Sequence, residues 1–173
     1  YGVPQALAGF LWEAGEAFLG LDITSSSFEE ADAIILPVPY EATTSWGRGA
    51  RWGPRGILKA SQHIELYDRE FGCEPAERLG IHTLPYLELP VGNPHEAIEN
   101  LRVAYSQVAQ ECGHRFLVML GGEHSVTSAA VLAQADRHEE RITVLQLDAH
   151  ADLRAEYNGM AYSHACVMSH VLS

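Results

Sequence analysis

"FLVMLGGEHSVTSAAVLAQADRHEERITVLQLDAHADLR", residues 116–154, is the stretch that decides the fold. It opens on an apolar run at 116–120, breaks at Gly121-Gly122, continues through an Ala-rich segment at 125–138, and returns to an apolar run at 142–147. Short apolar runs rich in branched residues and bounded by polar or glycine-containing loops read as buried parallel strands. The segment between them is long enough for a crossover helix, with Ser125 available as its N-cap. Strand, helix and strand together make a βαβ unit.

Upstream sequence extends the pattern. "AIILPVP" (33–39) reads as a third parallel strand. In "PHEAIENLRVAYSQVAQECG" (94–113), Ile98, Leu101, Ala104, Tyr105 and Val108 fall at helical spacing, and Gly113 can end the helix. "GPRGILKAS" (53–61) places Pro54 at a first helical position. No internal repeat, low-complexity tract or linker interrupts the chain. Residues 1–173 are therefore expected to form a single α/β domain around a mostly parallel sheet.

Composition limits the partners. Of 173 residues, 47% are hydrophobic, which is enough for a sizeable core, and 11 Lys and Arg face 23 Asp and Glu for a formal charge of −12. That charge argues against nucleic acid or an anionic membrane and favours cationic ligands. Cys73, Cys112 and Cys166 are odd in number and widely spaced, so neither a disulfide framework nor a zinc knuckle is expected, and a reducing, cytoplasmic setting fits. The start, residues 1–21, is interrupted by Glu13 and Glu16 and has no basic segment before it, so neither a membrane span nor a signal peptide is expected.

In open α/β sheets ligands bind beyond the carboxyl ends of the strands. Two loops there are unusual: Gly121-Gly122-Glu123-His124-Ser125, and Asp148-Ala149-His150-Ala151-Asp152. In an extended segment residues i, i+2 and i+4 point to one side, so Asp148, His150 and Asp152 can converge, with the two alanines leaving space between them. The paired glycines allow a close backbone approach that would bring His124 to the same point. A carboxylate-rich, His-containing set without Cys suits a hard or borderline divalent ion, Mn²⁺ better than zinc. Metal charge also explains why carboxylates stand at the end of an apolar strand, where desolvation is otherwise unfavourable. Glu123 reads as a partner that orients a ligand histidine. His63, His82, His95, His114, His138 and His170 read as ordinary surface or capping histidines, and Trp12, Trp46 and Trp52 as packing residues.

The blocks "GGEHS", "LDAHADLR" and "YSHACVM" resemble the signatures of the ureohydrolase (arginase/agmatinase) family, and "YEATTSWGRGARWGPRGILKAS" (40–61) resembles the N-terminal block of agmatinases. The resemblance implies a three-layer αβα sandwich with a mostly parallel sheet. It implies a hydrolase with two Mn²⁺ ions bridged by hydroxide, which converts a small cationic guanidino compound, agmatine, to urea and putrescine, a step of polyamine biosynthesis. His124 and Asp152 would ligate one ion, His150 the other, and Asp148 would bridge both. His164 matches the family histidine that shuttles a proton to the leaving amine. A homo-oligomer, a trimer or hexamer, is implied as well. The family's later Asp-x-Asp block has no counterpart here, so the chain is expected to be the N-terminal portion of such a domain, with its C-terminal part absent and its catalysis incomplete. Strands of that later part would separate 116–120 from 142–147, so those two runs are not expected to pair. Arginase, guanidinobutyrase and formiminoglutamase activities, and a non-catalytic metal-binding fragment, are the alternatives.

Overall fold

The computed structural model describes residues 3–21 and 27–173. Its strands are β1 (Trp12–Glu13), β2 (Ala33–Val38), β3 (Ile81–Thr83), β4 (Tyr86–Leu87) and β5 (Phe116–Gly121). Its helices are α1 (Gly53–Ser61), α2 (Pro75–Arg78), α3 (Pro94–Cys112), α4 (Val126–Arg137) and α5 (Val167–Leu172). The main sheet is parallel in the order β3-β2-β5, and β1 and β4 form a separate antiparallel ribbon.

The alternation of β2 builds two layers of helix on one sheet. Ile34, Leu36 and Val38 share a core with Leu117 and Met119 of β5 and with Ile98, Leu101, Val108, Ala129 and Ala133 of α3 and α4. Ile35 faces the opposite way and meets Leu58 of α1, Tyr86, Val118 and Leu120. Period-two strands between helices of 3.6-residue period give the three layers that were expected. Pro37 lies inside this central strand without breaking it. The Ile35 carbonyl points towards the β3 side, where it accepts from Leu84 N–H at 2.9 Å, so Pro37 also points that way. The β3 ladder ends at Ile35↔Thr83, and no ladder bond is lost there.

The helix ends follow their sequences, with one exception. Asn93 caps α3 by accepting from Glu96 N–H, Pro94 sits in the first turn, and Gly113 leaves the helix with φ 63°. Ser125 does precede α4, yet its side chain makes no cap bond. Its backbone is already helical, φ −52° and ψ −31°, not the extended conformation from which a side chain caps, and its hydroxyl donates to Glu123 Oε1 at 2.6 Å.

Residues 142–147 differ from the strand expected of them. They join no ladder with any described strand, and β5 pairs only with β2, on one edge. Leu145 is 83% and Leu147 90% exposed, so this apolar run lies open where a neighbouring strand would cover it. The expectation that 116–120 and 142–147 do not pair with each other is met. Among the described residues, no helix is long and apolar enough to cross a membrane.

Candidate metal centre and cleft

Both loops lie at the carboxyl ends of their apolar runs, and Gly122 seats the first of them against the chain leaving β2. A Cβ there would stand 2.0 Å from the Tyr40 carbonyl oxygen and 2.8 Å from its nitrogen, so only glycine fits against the chain leaving β2. The next residue completes the contact: Glu123 N–H donates to Tyr40 O at 2.8 Å. His124 then turns towards the second loop. Its Nδ1 is 2.7 Å from Asp152 Oδ2 and 3.7 Å from Asp148 Oδ2, and donor atoms of His124, Asp148 and Asp152 all lie within 4.8 Å of one another.

The backbone of the second loop converges by another route than simple alternation. His150 N–H donates to Asp148 Oδ1 at 2.8 Å, folding the chain over its own carboxylate, and residues 149–150 are bent. Asp152 has φ 48°, a left-handed conformation that Asp tolerates better than most residues. Its carbonyl accepts from Met168 and Ser169 N–H at 3.0 and 3.3 Å, so the first turn of α5 holds it in place. One consequence is that His150 does not join the three converging donors: its side chain is 81% exposed, with Nδ1 3.5 Å from Asp148 Oδ1. The His150 N–H hydrogen bond, opposed by desolvation and assisted by the His124 imidazole, the Gln146 side chain and the His150 imidazole, holds the Asp148 carboxyl below its ordinary range.

Glu123 is buried, 3% exposed, and accepts four hydrogen bonds: from Ala42 N–H at 2.8 Å, Thr43 N–H at 2.7 Å, Thr43 Oγ1 at 2.6 Å and Ser125 Oγ at 2.6 Å. None of these donors is a histidine. His164 sits on the 3-10 turn His164–Cys166, with Ser163 as its cap. Its backbone N–H donates to Thr43 Oγ1 at 3.0 Å, and its Nδ1 lies 3.3 Å from the same oxygen. His164 shares a cleft of about 630 Å³ with Ser45, His150, Asp152, Arg154 and Tyr157. Sequence reading missed Thr43, although a hydroxyl in a loop after a strand end, opposite the glycine pair, was there to be noticed.

Two other expectations need correction, at His82 and at the tryptophans. His82 is buried on β3 and meets the Phe28 ring edge-on at 5.7 Å, because the parallel pairing with β2 turns it inwards. His95 stays an exposed histidine, and it and the half-buried His170 flank the Tyr162 ring at 4.4 and 4.6 Å. Of the tryptophans, Trp12 is half-buried and donates to Leu7 O, but Trp46 is 94% exposed and Trp52 stands in solvent under the Arg51 and Arg55 guanidinium groups. Only Trp12 is a packing residue.

Fold and site together define a member of the arginase family, and the chain belongs to it: the "Arginase family" model matches residues 31–173. An N(1)-aminopropylagmatine ureohydrolase of Synechocystis sp. is 37% identical over 155 residues, covering 85% of this chain and 49% of that protein. An agmatinase of Pyrococcus horikoshii is 33% identical, covering 85% and 50%. Among solved structures, a putative agmatinase from Clostridium difficile superposes with a TM-score of 0.75 at 30% identity, covering 84% of this chain and 51% of that one. The chain thus spans about half the length of the curated relatives it matches.

Proposed function

We propose that this chain supplies metal ligands and a proton-transfer histidine to a ureohydrolase acting on a guanidino compound of the agmatine class. The observation that carries the reading is the convergence of His124, Asp148 and Asp152 within 4.8 Å, beside the cleft that holds His164, in a chain of the arginase family. The donor set fits a hard divalent ion: two carboxylates and an imidazole, no thiolate, and an Asp148 carboxyl already favoured in its ionised form. His124, Asp148 and Asp152 would hold Mn²⁺, and His150, beside Asp148 with its ring in solvent, is available to a second ion. When bound, such ions supply Lewis-acid activation of water and of the guanidinium carbon.

The chain's own residues do the rest. The formal charge of −12 favours a cationic substrate. The departing amine must be protonated to leave, and His164, at the wall of the same cleft, is the group placed to do it. The similarity to aminopropylagmatine ureohydrolases and agmatinases supports agmatine, or agmatine extended by an aminopropyl group, as substrate. The test is urea release by the natural gene product loaded with Mn²⁺ and given each compound in turn. Release from either is expected, and release from neither sinks the reading. Because the chain spans about half of its relatives, a second reading stands beside it: the 173 residues alone bind Mn²⁺ weakly and release no urea. Robust urea release by the isolated polypeptide would overturn that.

A further inference from the structure

We propose that Thr43, anchored by the buried carboxylate of Glu123, fixes the tautomer and orientation of His164, making Thr43 and Glu123 positioning residues for proton transfer in the cleft. The inference deepens the hydrolase reading and rests on it only for its kinetic consequence. Its basis is an accounting of hydrogens. Glu123 receives two N–H groups and two hydroxyls, and Thr43 contributes one of each. A carboxylate accepts all four, so the single hydroxyl proton of Thr43 is committed to Glu123 Oε1 at 2.6 Å.

Thr43 Oγ1 therefore has only lone pairs left to offer on its other side. One accepts the His164 backbone N–H at 3.0 Å, and His164 Nδ1 lies 3.3 Å away. A bare Nδ1 would set a lone pair against a lone pair, so Nδ1 carries the hydrogen. Nε2 is then the basic nitrogen, and it has no partner among the described residues. The Tyr157 ring stands edge-on to the imidazole at 5.6 Å and limits its rotation. During proton transfer Nε2 takes up a proton and releases it again, while Nδ1–H stays on Thr43. One competing arrangement exists. Ser163 Oγ is also 3.3 Å from Nδ1, and its hydroxyl could donate there, which would put the ring hydrogen on Nε2.

Long-range ¹H–¹⁵N spectra of the labelled 173-residue protein, recorded over a pH series and read where the ring signals no longer change with rising pH, report the tautomer directly. The expected result for the native protein, Thr43→Ser and Ser163→Ala is a protonated Nδ1 and a bare Nε2. For Thr43→Val the ring is expected to shift towards the other tautomer while amide signals elsewhere stay in place. A native ring protonated at Nε2, a Thr43→Val ring unchanged, or a Ser163→Ala ring that switches would each overturn the proposal. Should Thr43→Val fail to fold, the native protein, Thr43→Ser and Ser163→Ala decide alone. In the urea-releasing protein, Thr43→Val is expected to lower kcat by roughly 10- to 100-fold with KM and metal content unchanged, and Thr43→Ser to restore it. An unchanged kcat in Thr43→Val overturns the inference. Absence of urea release from the native protein refutes the hydrolase reading instead and leaves the tautomer to the spectra.

Discussion

At the scale of single residues, the two ends of the site answer to different tests. Asp148 touches both His124 and its own loop, so Asp148→Asn removes a charged donor from the converging set. His164 lies on another turn and is held by Thr43. Asp148→Asn is therefore expected to lower Mn²⁺ affinity by at least 10-fold and His164→Ala by far less, as read by titration calorimetry; equal losses would refute this division of roles. Gly122 is a different matter, since its constraint is steric. A methyl group 2.0 Å from the Tyr40 carbonyl forces two strand-end loops apart, and Gly122→Ala should destabilise by about 2–3 kcal/mol in a urea titration. Tyr40 makes that junction sensitive for a second reason. Its hydroxyl is buried without a hydrogen-bond partner among the described residues, and burial together with the Glu123 charge pushes its pKa up to about 12.

Elements show where sequence sufficed and where it did not. α1, α3 and α4 were legible because each carries a local signal: Pro54 at a start, Gly113 at a stop, and apolar residues at helical spacing between. Leu101 is fully buried in α3 and Val103, two residues on, is half exposed, so Leu101→Ala should cost about 2–5 kcal/mol and Val103→Ala under about 0.5 in thermal or urea unfolding. The short strands β1, β3 and β4 carry no such signal, being two or three residues long, and exist only because partners lie beside them. The Asp-rich loop was legible in its chemistry but not in its path, because a left-handed Asp152 and a side-chain-to-backbone bond at Asp148 leave no periodic trace. The face under α1 adds a pH-dependent contact. Tyr86 donates to Glu16 at 2.5 Å, a bond that lowers the Glu16 pKa, while burial and that same bond raise Tyr86 to about 12. A lowered carboxyl stabilises above its ordinary pKa and loses that contribution as pH falls through the folded value. A raised phenol stabilises below its ordinary pKa and loses that contribution as pH climbs towards about 12. Tyr86→Phe should thus lose about 1 kcal/mol near neutrality, the low end because Glu16 is partly exposed, and the loss should shrink in acid. A difference that stays constant down to the acid limb would sink the assignment.

For the whole molecule, the sheet is asymmetric. β2 is covered by a strand on each edge and by helices on both faces, whereas among the described residues β5 pairs on one edge only and residues 142–147 join no ladder. The site stands at this uncovered side, since His124 follows β5 and Asp148 follows the open run. An unpaired edge beside exposed leucines is a template for association, and the formal charge of −12 opposes it only through long-range repulsion that salt screens. The isolated 173-residue polypeptide is therefore expected to self-associate at high concentration, and more strongly as salt is raised, when followed by size-exclusion chromatography with light scattering. Replacing Leu145 and Leu147 together by Lys places charge on the open run without touching the core, so it should shift the polypeptide towards monomer while leaving the unfolding free energy within about 0.5 kcal/mol of the native value. If the double variant associates as strongly as the native chain, the apolar run is not the adhesive surface. The free edge of β5, whose backbone groups no side-chain change removes, would then be the surface through which copies pair.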